Sequence, residues 1–159
     1  MKLLLVESPT KARTISRFLS EKDYKIESTQ GHIRDLPSYK IGIDIEKNFE
    51  PQYVISRKRQ PIVKKIKELA EKSDSLIIAT DEDREGESIA WHLTEILKPK
   101  VPVKRMVFHE ITREAIEEAM ALANQLAPGH AEGCKVCIDE YHVLGYRDPG
   151  RKPRPPRIR

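Results

Sequence analysis

With 159 residues, the chain can form one well-cored domain and is short for two. Charged residues make up 34%, mean hydropathy is −0.58, and no apolar run approaches the roughly 20 residues of a membrane helix, so a soluble protein with no membrane partner is expected. The net charge of +4 is unevenly placed: residues 147–159 hold six basic residues and one Asp, whereas residues 1–146 hold 23 basic and 24 acidic ones.

Residues 3–6 are all apolar and predict a buried strand. Glu7 ends that run too early for a secretion signal, and no small-residue cleavage site follows, which leaves the cytoplasm as the expected location. Ser8 and Pro9 supply an N-cap and an N1 proline, and Ala12, Ile15, Phe18 and Leu19 mark one face of the helix. Tyr24, Ile26 and Ser28 alternate with polar neighbours, as in a half-exposed strand. Residues 30–52 contain Gly31, Pro37, Gly42 and Pro51 and read as a long irregular excursion, of a length usually tied to function. Residues 53–56 fit a short edge strand. Pro61 opens an amphipathic helix with Ile62, Val63, Ile66, Leu69 and Ala70 inward.

Residues 76–79 predict a second strand buried on both faces. A helix over 84–97 stops before Pro99, a strand follows over 103–108, and Thr112 caps a last helix with Ala115, Ile116, Ala119, Met120 and Ala123 on its apolar side. The alternation predicts an α/β domain with a mainly parallel sheet flanked by helices. In such sheets ligands collect at the carboxyl ends of the strands. Glu7, the acidic run after Thr80, and His109-Glu110 each follow a strand, so three distant segments are aimed at one edge.

The acidic run is Asp81-Glu82-Asp83-Arg84-Glu85-Gly86-Glu87. Crowded carboxylates must bind a proton, a cation or a basic partner. All-oxygen donors suit a hard cation such as Mg²⁺, which uses one or two carboxylates plus substrate phosphates. A solvated turn with acids at a helix N-terminus is the plain alternative, but it needs one or two acids and this run has five in seven positions. Arg57-Lys58-Arg59, continued by Lys64, Lys65 and Lys67, could contact phosphate or simply form a solvated basic face.

Four motifs carry a resemblance to a known family. They are Val6-Glu7-Ser8-Pro9-Thr10-Lys11-Ala12, Gly31-His32-Ile33-Arg34-Asp35-Leu36-Pro37, the segment from Thr80 to Glu87, and Phe108-His109-Glu110-Ile111-Thr112. In this order, over residues 1–124, they resemble the TOPRIM domain of bacterial type IA DNA topoisomerases. The resemblance implies a TOPRIM (Rossmann-like) fold, Mg²⁺ as cofactor, and as partner a single-stranded segment of DNA that is cleaved and rejoined. By position, Glu7 corresponds to the family's general acid, which protonates the leaving 3′ oxygen and acts as base on rejoining. Asp81, Asp83 and Glu85 match the metal-binding Asp-x-Asp-x-Glu set, with Glu7 a fourth acid at the same ion. Lys11 matches a lysine that stabilises charge on the phosphate.

The residue chemistry agrees independently. Phosphoryl transfer needs an acid for the leaving oxygen and cations for the non-bridging oxygens. A carboxylate close to others has a raised pKa, as a proton donor requires. Further nucleic-acid contacts fall on His32, Arg34, Arg57, Lys58, Arg59 and Arg84, each with a structural alternative. His32 could cap its loop, Arg34 beside Asp35 could form structural hydrogen bonds, and either Arg84 or Glu87 could belong to a local ion pair supporting the loop. His109 and Glu110 fit a structural pair as well as a catalytic one, and Trp91 reads as packing.

A complete enzyme of this family also needs a tyrosine nucleophile on a separate domain. Tyr24, Tyr39, Tyr53, Tyr141 and Tyr146 do not stand in that motif, and the chain stops before such a domain would begin. The expectation is therefore the acid and Mg²⁺-binding part of a topoisomerase, inactive alone, with a tyrosine-bearing region as partner. The alternative is a stand-alone module that binds Mg²⁺ and nucleic acid without turnover; a third is another TOPRIM activity, primer synthesis or nucleolytic cleavage. Nucleotide hydrolysis fits poorly, because no Gly-x-x-x-x-Gly-Lys loop occurs. Residues 125–159 read as a divergent tail with an extended Pro/Arg-rich end. In it, Cys134 and Cys137 with His130 and His142 could bind zinc or remain free thiols.

Overall fold

In the computed structural model, which describes residues 1–108 and 110–125, the elements alternate as the apolar runs predict. In chain order they are β1 (Lys2–Val6), α1 (Pro9–Ile15), β2 (Tyr24–Ser28), β3 (Ile43–Asp44), β4 (Glu50–Pro51), α2 (Gln60–Glu71), β5 (Ser75–Ile78), α3 (Arg84–Leu97), β6 (Val103–Arg105) and α4 (Arg113–Gln125). Four strands form one sheet in the order β2-β1-β5-β6, and all its pairings are parallel. β3 and β4 form a separate two-stranded antiparallel pair inside the long excursion.

The unbroken apolar runs of β1 and β5 are explained by burial on both faces. Side chains alternate across a strand, so Leu3, Leu5, Leu76 and Ile78 pack with Val63 and Ile66 of α2 and Ile89 and Leu93 of α3. Leu4, Val6, Ile77 and Ala79 pack on the opposite face with Ile15 of α1 and Ile116 and Met120 of α4. Leu3, Leu4, Leu5, Leu76 and Ile77 are wholly inaccessible to solvent, each contributing about 1.5–3 kcal/mol of apolar burial. Two helices on each face complete the layers.

Two predicted strands differ. Residues 53–56 are not an edge strand of the sheet; Val54 makes one isolated antiparallel bridge to Asp35, because its partner lies in the same excursion. The strand expected over 103–108 ends at Arg105, although the Met106 N–H still donates to Ile78 O at 2.9 Å. No helix among the described residues is long and apolar enough to cross a membrane. His109, the zinc alternative, Tyr141, Tyr146 and the Pro/Arg-rich end lie outside the described residues.

Candidate functional site

The carboxyl ends of β1 and β5 lie side by side, and the next residues on each strand build the site. Glu7 follows β1 directly. Ser8 then caps α1, its hydroxyl accepting from the Lys11 N–H at 3.2 Å. That cap places Lys11 one turn beyond Glu7, and its Nζ donates to Glu7 Oε1 at 2.6 Å and also to Asp81 Oδ1. One ammonium thus links the residue after β1 with the acidic turn after β5.

Burial pushes the Glu7 carboxyl above its ordinary range, and its hydrogen bond with Asp81 adds to this, while Lys11 opposes both. The same hydrogen bond from Glu7, aided by Lys11, holds Asp81 below the usual carboxylate range. Burial works against the charge on Lys11, yet its two carboxylate partners raise its pKa overall. The two shifts run in opposite directions, so of the pair Glu7 binds a proton more readily and Asp81 less readily than an ordinary carboxyl. The direction for Glu7 is the one expected, but burial rather than the neighbouring acids is the larger cause.

The acidic turn owes its shape partly to Thr80, Gly86 and Arg105, whose roles sequence reasoning did not single out. The Thr80 hydroxyl donates to Gly86 O at 2.7 Å, and the Asp83 carboxylate caps α3 by accepting from the Gly86 N–H at 2.7 Å. A Cβ on residue 86 would stand 2.1 Å from Asp81 O, so glycine alone lets the first turn of α3 close onto Asp81. Arg105 lies beneath. Its Nη1 donates to Ile78 O and Met106 O, each at 3.0 Å, its Nη2 to Asp81 O at 3.1 Å, and its Nε to Glu87 Oε1 at 3.1 Å. Glu87 pairs with Arg105, which agrees with the ion pair supporting the loop considered for it from the sequence. The one available signal was a charged residue inside a predicted strand.

Glu7, Asp81, Asp83 and Glu85 face one open cavity of about 460 Å³, together with Gln30 and Gly31. Gln30 and Gly31 have φ of 57° and 87°, the left-handed region that glycine enters without cost, and this turn brings the backbone against Glu7, with Gly31 N–H donating to Glu7 O at 2.9 Å. The donors fit a hard divalent ion in kind, all being carboxylate oxygens. The place already draws a cation, since the Lys11 ammonium stands between Glu7 and Asp81. Among the described residues, however, no three acids converge on a single point, so the four acids share a cavity without closing round one position.

Of the remaining residues, His32 Nε2 lies 3.3 Å from Glu85 Oε1, beside the acidic turn. Arg34 is turned inward. Its guanidinium stacks on Tyr53 and Trp91 at 5.0 and 4.8 Å, and its Nε donates to His92 Nδ1 at 2.5 Å. Those bonds match the structural alternative for Arg34, and Trp91 packs in the same group, 4.6 Å from the His92 ring. His32, Arg34, Arg57 and Arg59 line a second cavity of about 660 Å³. Lys58 and Arg84 are exposed outside it. Glu110 is exposed, its Oε1 accepting from the Thr112 hydroxyl at 3.4 Å.

A parallel sheet covered on both faces, with a carboxyl, a lysine and an acidic turn at one rim, defines an α/β domain with ionisable side chains gathered at its strand ends. The chain belongs to the Toprim family, whose domain model matches residues 2–111. It is 51% identical over 161 residues to DNA topoisomerase 1 of Synechococcus elongatus, covering 91% of this chain and 18% of that protein. DNA topoisomerase 1 of Streptomyces coelicolor is 51% identical over 138 residues, covering 79% of this chain and 14% of that one. The full-length topoisomerase I structure from Thermotoga maritima superimposes with a TM-score of 0.68 at 44% identity, over 75% of this chain and 20% of its own. The chain thus spans under a fifth of the length of these two sequence relatives. A match over 91% of the chain also reaches beyond the 124 residues to which the motifs confined the resemblance.

Proposed function

We propose that this chain is the acid and Mg²⁺-binding part of a type IA DNA topoisomerase, which cleaves and rejoins one strand of DNA. The observation that supports this most is the Glu7 carboxyl, its pKa raised by burial, bonded to Lys11 and facing a cavity that it shares with Asp81, Asp83 and Glu85. Glu7 gives its proton to the 3′ oxygen as the phosphodiester breaks and takes it back on rejoining. Lys11 shifts from the carboxylates to the phosphate and offsets its charge. Asp81, Asp83 and Glu85 would hold Mg²⁺, with Glu7 beside them, and the ion would supply positive charge to offset that of the phosphate. His32, Arg57, Lys58, Arg59 and Arg84 contact the single-stranded segment, with Arg34 shaping the loop behind them. The attacking tyrosine comes from a region outside this chain, and the domain proper covers residues 1–124, followed by a divergent tail over 125–159. The setting is the cytoplasm.

The test is a chimera in which this chain replaces the matching segment of a full-length relative, assayed on supercoiled plasmid with Mg²⁺. Relaxation that disappears in Glu7→Gln is the expected result, while the isolated chain leaves the plasmid supercoiled. Relaxation by the isolated chain, or a Glu7→Gln chimera of full activity, would overturn the assignment.

A further inference from the structure

Arg105 spends its guanidinium on the acidic turn and not on solvent. It reaches three backbone carbonyls, of Ile78, Asp81 and Met106, and the carboxylate of Glu87 on the first turn of α3. These acceptors lie before, within and after the turn that carries Asp81, Asp83 and Glu85, and on the adjoining strand. The turn is therefore anchored from below at both ends, with Gly86 packed directly on Asp81.

Stability is a poor explanation for this arrangement. A buried ion pair often contributes no more than apolar side chains of the same volume would. Among the described residues, the second Glu87 oxygen, Oε2, is buried with no hydrogen-bond partner, and a buried oxygen left unpaired costs folding energy. What the pair does provide is a rigid fork: a planar guanidinium fixes several acceptors at once in a geometry that an ammonium cannot reproduce. Neighbouring carboxylates repel, and a turn that carries several of them needs such an anchor to keep them facing one cavity.

We infer that Arg105, seated on Glu87, is a positioning residue that anchors the acidic turn so that its carboxylates face the cavity where a divalent cation would bind. The inference rests on the Mg²⁺ reading of that turn given above. Partners behind metal ligands orient them, and their loss typically weakens metal affinity about 10- to 100-fold.

The test is calorimetric titration of the full chain with MgCl₂, beside thermal melts of the same samples. Arg105→Lys keeps the charge and loses the fork. It is expected to stay folded while binding Mg²⁺ at least about tenfold more weakly. Glu87→Gln keeps one oxygen acceptor and leaves the three carbonyl bonds in place, so it should lose less; it carries the test if Arg105→Lys fails to fold. A folded Arg105→Lys with wild-type Mg²⁺ affinity overturns the positioning role, as does a Glu87→Gln that loses more than Arg105→Lys. If the wild-type chain itself takes up no Mg²⁺, the metal reading fails first and this inference falls with it.

Discussion

At Glu7 two influences act in opposite directions. Burial and the hydrogen bond with Asp81 push its pKa up, while the Lys11 ammonium pulls it down through contact and charge. The net direction is upward, so the carboxyl keeps a proton at pH values where an exposed glutamate would have lost it. Removing the ammonium removes only the downward influences. Lys11→Met should therefore move the Glu7 titration to still higher pH, and should raise Asp81 as well, because Lys11 helps to hold that group down. Carbon-detected NMR titration of both carboxyls checks this; a Glu7 that titrates lower in the variant would contradict the account. Glu7, Lys11 and Asp81 were legible in the sequence because each sits in a motif with fixed spacing. Arg105 was not, because most of its acceptors are main-chain carbonyls, and a carbonyl leaves no mark on residue type. Gly86 was quoted within its motif, but its need to approach Asp81 follows only from coordinates.

The helix α3 and the excursion before α2 meet through side chains far apart in sequence. His92 is buried, and its pKa is pushed down to about 4, chiefly by burial and then by Arg34 and His32. The hydrogen bond from Arg34 Nε to His92 Nδ1 requires that nitrogen to be unprotonated, so contact and charge state agree. The ordinary value of 6.5 applies to the unfolded chain, which takes up this proton first as pH falls. The stabilising effect is thus complete above about pH 6.5 and is lost as pH drops toward 4. It amounts to about 3 kcal/mol at most. His92→Asn keeps a hydrogen-bond acceptor and cannot titrate. Its urea unfolding free energy should vary less between pH 6.5 and 4 than that of the wild type, and an identical pH dependence would show that His92 is not the group concerned. At this scale the sequence predicted most elements, since β1 and β5 are unbroken apolar runs and the four helices have apolar faces. It over-extended β6 and took residues 53–56 as an edge strand, because a short β-like run does not reveal whether a partner strand stands beside it. The stack of Arg34 on Tyr53 and Trp91 was hidden for a related reason: tertiary contact joins segments that no local pattern links.

Across the whole molecule, the two basic regions lie far apart in sequence. Residues 1–146 are close to neutral, and the excess positive charge is in residues 147–159, while Arg57 and Arg59 border the cavity beside the Gly31–Pro37 loop. Either region could dominate binding to a single strand, and salt dependence separates them. Each phosphate contact on single-stranded nucleic acid contributes about −0.7 to the slope of log affinity against log salt. If Arg57, Lys58 and Arg59 each meet a phosphate, replacing all three by Ser should flatten that slope by about 2. Removing residues 147–159 should flatten it separately if the tail also binds. Fluorescence anisotropy with a labelled oligonucleotide at several salt concentrations measures both changes. A triple variant with an unaltered slope, beside a truncated chain whose slope collapses, would place DNA on the tail and leave the Arg57–Arg59 patch a solvated surface. A flattened triple variant would instead put the strand against the cavity that Arg57 and Arg59 line with His32 and Arg34.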